Sequence, residues 1–154
     1  MRRTVAVSAC LLGENCRYDG ETKEVSAVRR LLDDPEVEVV MFCPEDPVMG
    51  TPRERINLVE VDGRLEVITA HTDVKVTSAI KLETQRQLFD KPLDLVILKS
   101  KSPSCGLGTT PVVSSCGKLL RYGDGIAASE IKKAFPDIEV IDEVHYEKGL
   151  EQER

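Results

Sequence analysis

Thr4-Val5-Ala6-Val7-Ser8-Ala9-Cys10 is the stretch from which the rest of this chain is read. A short run of β-branched and small apolar residues without polar alternation predicts a strand buried on both faces. It stops at a cysteine. Val37-Glu38-Val39-Val40-Met41-Phe42 repeats the pattern and stops at Cys43-Pro44. Leu93 to Leu98 repeats it again and runs into Lys99-Ser100-Lys101-Ser102-Pro103-Ser104-Cys105-Gly106. A last short strand is expected over Ile138 to Ile141.

The intervening segments change period. Val25, Val28, Leu31 and Leu32 fall at helical spacing, which predicts a helix over Glu24 to Leu32 ended by Pro35. A long helix is expected over Asp73 to Asp90, capped by Thr72 or Asp73. Another is expected over Gly125 to Phe135, with Gly123-Asp124-Gly125 as its cap. Asp62-Gly63 between Leu58 to Val61 and Leu65 to Ile68 marks a β-hairpin. Ser114 to Lys118 reads as a second hairpin tip, and the polar chain from about His145 as a frayed, flexible tail.

Buried strands alternating with helices predict an α/β fold. The expectation is one domain over residues 1–154: a Rossmann-like open sheet, mostly parallel, with helices on both faces and an added β-hairpin. The hairpin and the Ser115 to Lys118 tip are expected away from the main hydrophobic layers. There the hairpin would flank the pocket or serve a homodimer contact.

Composition narrows the classes. The 154 residues are 41% hydrophobic and carry a formal charge of −6, with no long basic run. This argues against a nucleic-acid polymer as partner. No apolar stretch is long enough to span a membrane. Val5 to Val7 is too short for the apolar core of a signal peptide, which predicts a cytoplasmic protein.

The five cysteines are Cys10, Cys16, Cys43, Cys105 and Cys116, an odd number at wide spacing with no Cys-x-x-Cys pair. Structural disulfides are not expected of such a set in a reducing compartment. Each thiol taken alone is compatible with a small buried hydrophobe. Cys10, Cys43 and Cys105, however, each follow a parallel strand, and the fold would gather them at one sheet edge, where open α/β sheets bind ligands. Three converging thiolates suit a metal or cluster site. Structural zinc favours close cysteine pairs, which are absent. A four-iron cluster with three cysteines keeps one iron open, a Lewis-acid arrangement.

Six segments carry a resemblance along nearly the whole chain. They are Ser8-Ala9-Cys10-Leu11-Leu12-Gly13, Arg17-Tyr18-Asp19-Gly20, Cys43-Pro44-Glu45, Gly50-Thr51-Pro52-Arg53-Glu54, Lys99 to Gly106 and Gly123-Asp124-Gly125. Together they resemble a bacterial family long catalogued as a domain of unknown function that includes the thiouracil desulfidases, in its short, single-domain form. The resemblance implies a [4Fe-4S] cluster held by Cys10, Cys43 and Cys105. It also implies a non-redox removal of sulfur from a thiolated pyrimidine or related small molecule, in which water replaces the sulfur. Glu45, two residues after a ligand, is then the candidate acid/base, and Ser102 the residue that orients water or substrate. Both also have plainer roles, as a solvated loop carboxylate and a turn residue before Pro103.

Asp19, Arg53 and Ser104 are candidates for contacting the ligand. Asp19 also suits a turn, and Arg53 an ion pair with Glu54 that fixes the loop. Ser104-Cys105-Gly106 could form a nest of N–H groups. His71 and His145 lack partners at ligand spacing and are read as surface residues. Cys116 is not expected to be a ligand, and Cys16 is at most a spare fourth. Two other classes stay open: a cysteine-based sulfur-carrier or redox protein, and a non-catalytic module binding a metal or nucleobase.

Overall fold

The three apolar runs become strands, and five further strands join them. In the computed structural model, which describes residues 3–13, 24–50 and 53–152, the strands are β1 (Arg3–Ser8), β2 (Val37–Phe42), β3 (Ile56–Val61), β4 (Arg64–Thr69), β5 (Leu95–Leu98), β6 (Thr110–Ser114), β7 (Leu119–Gly123) and β8 (Glu139–Asp142). The helices are α1 (Ser26–Arg29), α2 (Asp46–Met49), α3 (Thr77–Leu88), α4 (Ile126–Ala134) and α5 (Glu143–Gln152). Cys16, Asp19, Thr51 and Pro52 lie outside the described residues.

Four strands form a parallel sheet in the order β2-β1-β5-β8. Register sets its edge. Ser8 pairs with Phe42, Val7 with Ile97, and Leu98 with Asp142. Phe42, Ser8, Leu98 and Asp142 therefore form one row at the C-terminal edge. The sheet order reverses at β1, with β2 on one side and β5 on the other, so the crevice above β1 and β5 is where such a fold takes its ligand.

Alternation along the strands divides the core in two. Val5, Val7 and Ile97 pack on one face with Leu11, Leu12 and Val28, and with the partly buried Tyr146 of α5. Ala6, Val96 and Leu98 pack on the other with Ile80 and Leu88 of α3 and Ile131 of α4. Helices thus cover both faces. Each large apolar side chain sealed in this way contributes about 1.5–3 kcal/mol.

The hairpin is more than an addition. β3 and β4 pair antiparallel, β3 pairs parallel with β6, and β6 pairs antiparallel with β7, giving a second four-stranded sheet in the order β4-β3-β6-β7. Asp62 and Gly63 both have positive φ, 51° and 78°, as the tight turn requires. The expectation that this hairpin lies away from the hydrophobic layers fails for its strands: Ile56, Leu58 and Val67 belong to the larger core cluster, together with Val112 of β6. The Ser115 to Lys118 tip is exposed throughout.

Strand ends shift by one or two residues from expectation, as β5 begins at Leu95 and β3 at Ile56, and three segments differ more. The long helix begins at Thr77 rather than Asp73. Asp73 sits at φ 53°, and residues 69–76 are tied back to β4: Val74 N–H donates to Thr69 Oγ1 at 2.7 Å and Val76 N–H to Val67 O at 2.9 Å. Neither Thr72 nor Asp73 caps the helix; Val76 occupies that position. The helix expected from Glu24 is a single turn, α1, continued as a 3-10 turn over Arg30–Asp33. The chain from Glu143, expected to fray from His145, forms helix α5, whose first turn is fastened by Asp142 Oδ1 accepting His145 N–H at 2.9 Å.

Candidate active site

Each cysteine is delivered by a strand end and then locked by a local device. After β1, Ala9–Leu12 forms a 3-10 turn that buries Cys10 and is closed by Gly13 at φ 96°. After β2, the backbone of Cys43 is gripped from both sides by the amide of Gln87 on α3. Cys43 N–H donates to Oε1 at 3.1 Å, and Nε2 donates to Cys43 O at 2.9 Å. After β5, the chain turns at Ser102, whose Oγ accepts the N–H groups of Ser104 at 3.2 Å and Cys105 at 3.0 Å.

The Cys105 loop is seated on the start of α4. Ile126 N–H donates to Pro103 O at 3.2 Å, Ala128 N–H to Ser104 O at 3.0 Å, and Gly125 N–H to Gly106 O at 2.8 Å. A Cβ at Gly125 would lie 2.5 Å from the Ser104 backbone, so only glycine permits this approach. Asp124, expected near the helix cap, instead accepts Gly108 N–H at 2.8 Å and holds the far end of the same loop.

Cys10, Cys43 and Cys105 line one cavity of about 900 Å³ at the C-terminal edge of the parallel sheet, together with Glu45, Arg53 and Ser102. Glu45 opens α2, and its carboxylate lies 3.4 Å from Arg53 Nη2. Arg53 is almost wholly buried, with Nη1 donating to Gly50 O at 3.0 Å. The expected Arg53–Glu54 pair does not form. Glu54 instead accepts His71 N–H at 2.7 Å and the N–H and hydroxyl of Thr72, which hold its carboxyl below the usual carboxylate value. Ser104 is wholly buried beneath the loop and is not part of the cavity wall. Its carbonyl accepts Ala128 N–H of α4 at 3.0 Å.

Three further groups stand on the wall without having been singled out from the sequence. Ser8, at the end of β1, accepts Lys99 N–H at 2.9 Å. Ser100 and Glu143 follow β5 and β8, and Glu143 accepts Ser100 N–H at 2.7 Å and the Ser100 hydroxyl at 2.9 Å. The signal available for Glu143 was its position immediately after the last strand, equivalent to that of Cys43.

The electrostatics bear on what the cavity can hold. Burial pushes the Cys105 thiol well above its ordinary value; hydrogen bonds from Ser8 and Ser102 oppose this, while Glu45 and Cys43 reinforce it. A thiolate at Cys105 therefore needs a nearby positive charge, which a bound metal group supplies. No three His, Cys, Asp or Glu side chains among the described residues converge on a single metal ion. Three thiols spread around one cavity fit a polynuclear cluster, which takes one thiolate per iron, better than one zinc ion with four close ligands.

Comparison with known proteins agrees. An uncharacterized protein of Bacillus subtilis (strain 168), YbbK, is 31% identical over 141 residues, covering 84% of this chain and 90% of its own. The solved structure of the [4Fe-4S]-dependent thiouracil desulfidase TudS superposes with a TM-score of 0.72 at 28% identity, over 94% of this chain and 93% of that one. The profile of the family described as 2-thiouracil desulfurase matches residues 5–143. On that match the chain belongs to the 2-thiouracil desulfurase family.

Proposed function

We infer that this protein removes sulfur hydrolytically from a thiolated nucleobase or a similar small thiocarbonyl compound. The reaction is C=S plus water giving C=O plus hydrogen sulfide. Water oxygen bonds to the carbon, the C–S bond breaks, both protons of the water leave with sulfur, and no electrons are transferred. The observation that carries this reading is the meeting of Cys10, Cys43 and Cys105 with the carboxylate of Glu45 on one cavity wall. The solved relative's named dependence on [4Fe-4S] and action on thiouracil support it.

In this reading Cys10, Cys43 and Cys105 hold a [4Fe-4S] cluster, which when bound supplies Lewis acidity toward a thiocarbonyl sulfur. The remaining work belongs to the chain. The Glu45 carboxylate takes a proton from the attacking water and returns it to the departing sulfur. Arg53 keeps that carboxylate in place. Ser102 Oγ accepts two N–H groups and its hydroxyl favours the Cys105 thiolate, so Ser102 serves that ligand and stands on the wall where water or ligand is oriented. The pocket volume, about 900 Å³, suits a small molecule rather than a polymer. No helix of the described residues is long and apolar enough to cross a membrane. A reducing cytoplasm would preserve the thiols.

The test is anaerobic purification followed by visible absorbance, iron and sulfide analysis, and incubation with 2-thiouracil. A broad visible band with stoichiometric uracil and sulfide is expected. Iron-loaded protein that leaves every thiolated pyrimidine intact would sink the reading.

A further inference from the structure

The cavity has a second charged wall that the reaction above does not use. It comes from the other side of the sheet. Cys43 and Glu45 follow β2, on one flank of β1, whereas Lys99 and Ser100 follow β5 and Glu143 follows β8, on the opposite flank. All three line the cavity.

Their bonding defines a held ammonium. Glu143 is 7% exposed, and a carboxylate so buried is costly unless paired. It receives Ser100 N–H and the Ser100 hydroxyl, at 2.7 and 2.9 Å. Lys99 Nζ stands 3.4 Å from its Oε2 and donates to Ser100 O at 2.7 Å. Nζ also donates to Ser100 Oγ at 3.5 Å, while the Ser100 hydroxyl gives its own proton to Glu143. An ammonium has three donors; its one short bond here is to Ser100 O, and its contacts with Glu143 Oε2 and Ser100 Oγ are long, at 3.4 and 3.5 Å. The group so held lines the cavity at the switch point of the sheet, where a ligand oxygen can compete with the two long contacts. A buried ion pair is weak evidence for stability by itself, so stitching β5 to β8 does not account for placing the cation on this wall.

We propose that Lys99, positioned by Glu143 and Ser100, is the specificity-determining residue of the cavity, its ammonium binding a carbonyl oxygen that the ligand carries on the edge away from its thiocarbonyl. The ligand class rests on the desulfuration reading; the binding role of Lys99 does not, because product binding is measured without turnover.

The experiment uses anaerobically purified full chain and compares the binding of uracil with that of pyrimidin-2-one, which lacks the second carbonyl oxygen. The parent should prefer uracil by about 10- to 100-fold, the range of a hydrogen bond to a charged group. Lys99→Met should bind both weakly and lose the preference, while Lys99→Arg should retain part of it. Because Lys99→Met leaves Glu143 buried without its cation, Lys99→Met with Glu143→Gln is the companion variant, and it should also show no preference. Visible absorbance should match the parent in every variant, and KM for 2-thiouracil should rise by more than kcat falls. A parent without the preference, or a folded double variant that keeps it, overturns the assignment. A parent that prefers uracil yet desulfurates nothing overturns the reaction and leaves Lys99 in its role.

Discussion

The parallel sheet β2-β1-β5-β8 and the mixed sheet β4-β3-β6-β7 have the same number of strands and opposite consequences. In the parallel sheet every strand leaves by one edge. The residues that follow the aligned row, Cys43, Ala9, Lys99 and Glu143, all line the cavity. In the mixed sheet the cavity is met along the first half of β3, at Ile56, Asn57 and Leu58, and along β6, at Thr110, Pro111 and Val113. Both hairpin turns lie where those strands end. None of the turn residues 62, 63 and 115–118 is on the cavity wall. Strand direction decides which end of a sheet can gather chemistry and which is left to solvent.

The cysteines repeat the contrast. Cys105, at the parallel edge, is buried with its thiol pushed up. Cys116, on the β6–β7 tip, is exposed, and the Ser114 hydroxyl 3.1 Å away and Lys118 N–H hold its thiol below the ordinary value. Burial disfavours the thiolate at the first, and hydrogen bonds favour it at the second.

The sharpest way to break this contrast is Cys43→Ala. It should abolish iron binding, visible absorbance and desulfuration together; a variant retaining its full iron content would remove the parallel edge from the chemistry. Glu45→Gln should come next. It keeps the colour, since no thiol is lost, and slows turnover on the order of 100-fold or more, as for a general acid/base. Parent-like turnover would transfer that role to Ser102. Gln87→Ala tests the scaffold rather than the reaction. Leaving both backbone groups of Cys43 without their amide partner should cost about 1–3 kcal/mol, seen as a lower denaturation midpoint at unchanged slope. An unchanged midpoint would mean that water substitutes freely.

The smallest effect is expected at the other sheet. Cys116→Ser should leave activity and stability as in the parent. In the parent, alkylation of Cys116 should rise with pH through a half-point below that of an ordinary thiol, because the thiolate is the reactive form and its hydrogen bonds favour it. Ser114→Ala should move that half-point upward. A half-point unmoved by Ser114→Ala would deny the hydroxyl its part.

Much of the fold was legible because it is local. β2 occupies the run that its pattern predicts, and β1 extends its own by one residue at the N-terminal side. The Asp62-Gly63 turn was likewise readable. The cysteines were legible as candidates because each follows such a run. Thr72 and Asp73 were misread because capping chemistry is also local, and nothing near them announces that Thr69 claims Val74 N–H and folds the segment back on β4. Arg53 was read as a ligand contact or as the partner of its neighbour Glu54, and its half-buried partner is Glu45, eight residues away.

What the sequence determined by itself, then, is period and punctuation: where strands run, where they stop, and which thiols stand at the stops. Tertiary structure alone decided who holds whom. Gln87 grips Cys43 across 44 residues, Glu143 receives Ser100 across 43, and Ser8 takes Lys99 N–H across 91. Side-chain periodicity reports which face of an element is buried. The partner of a buried polar group depends on which distant elements the closed chain brings beside it, and no local pattern encodes that choice.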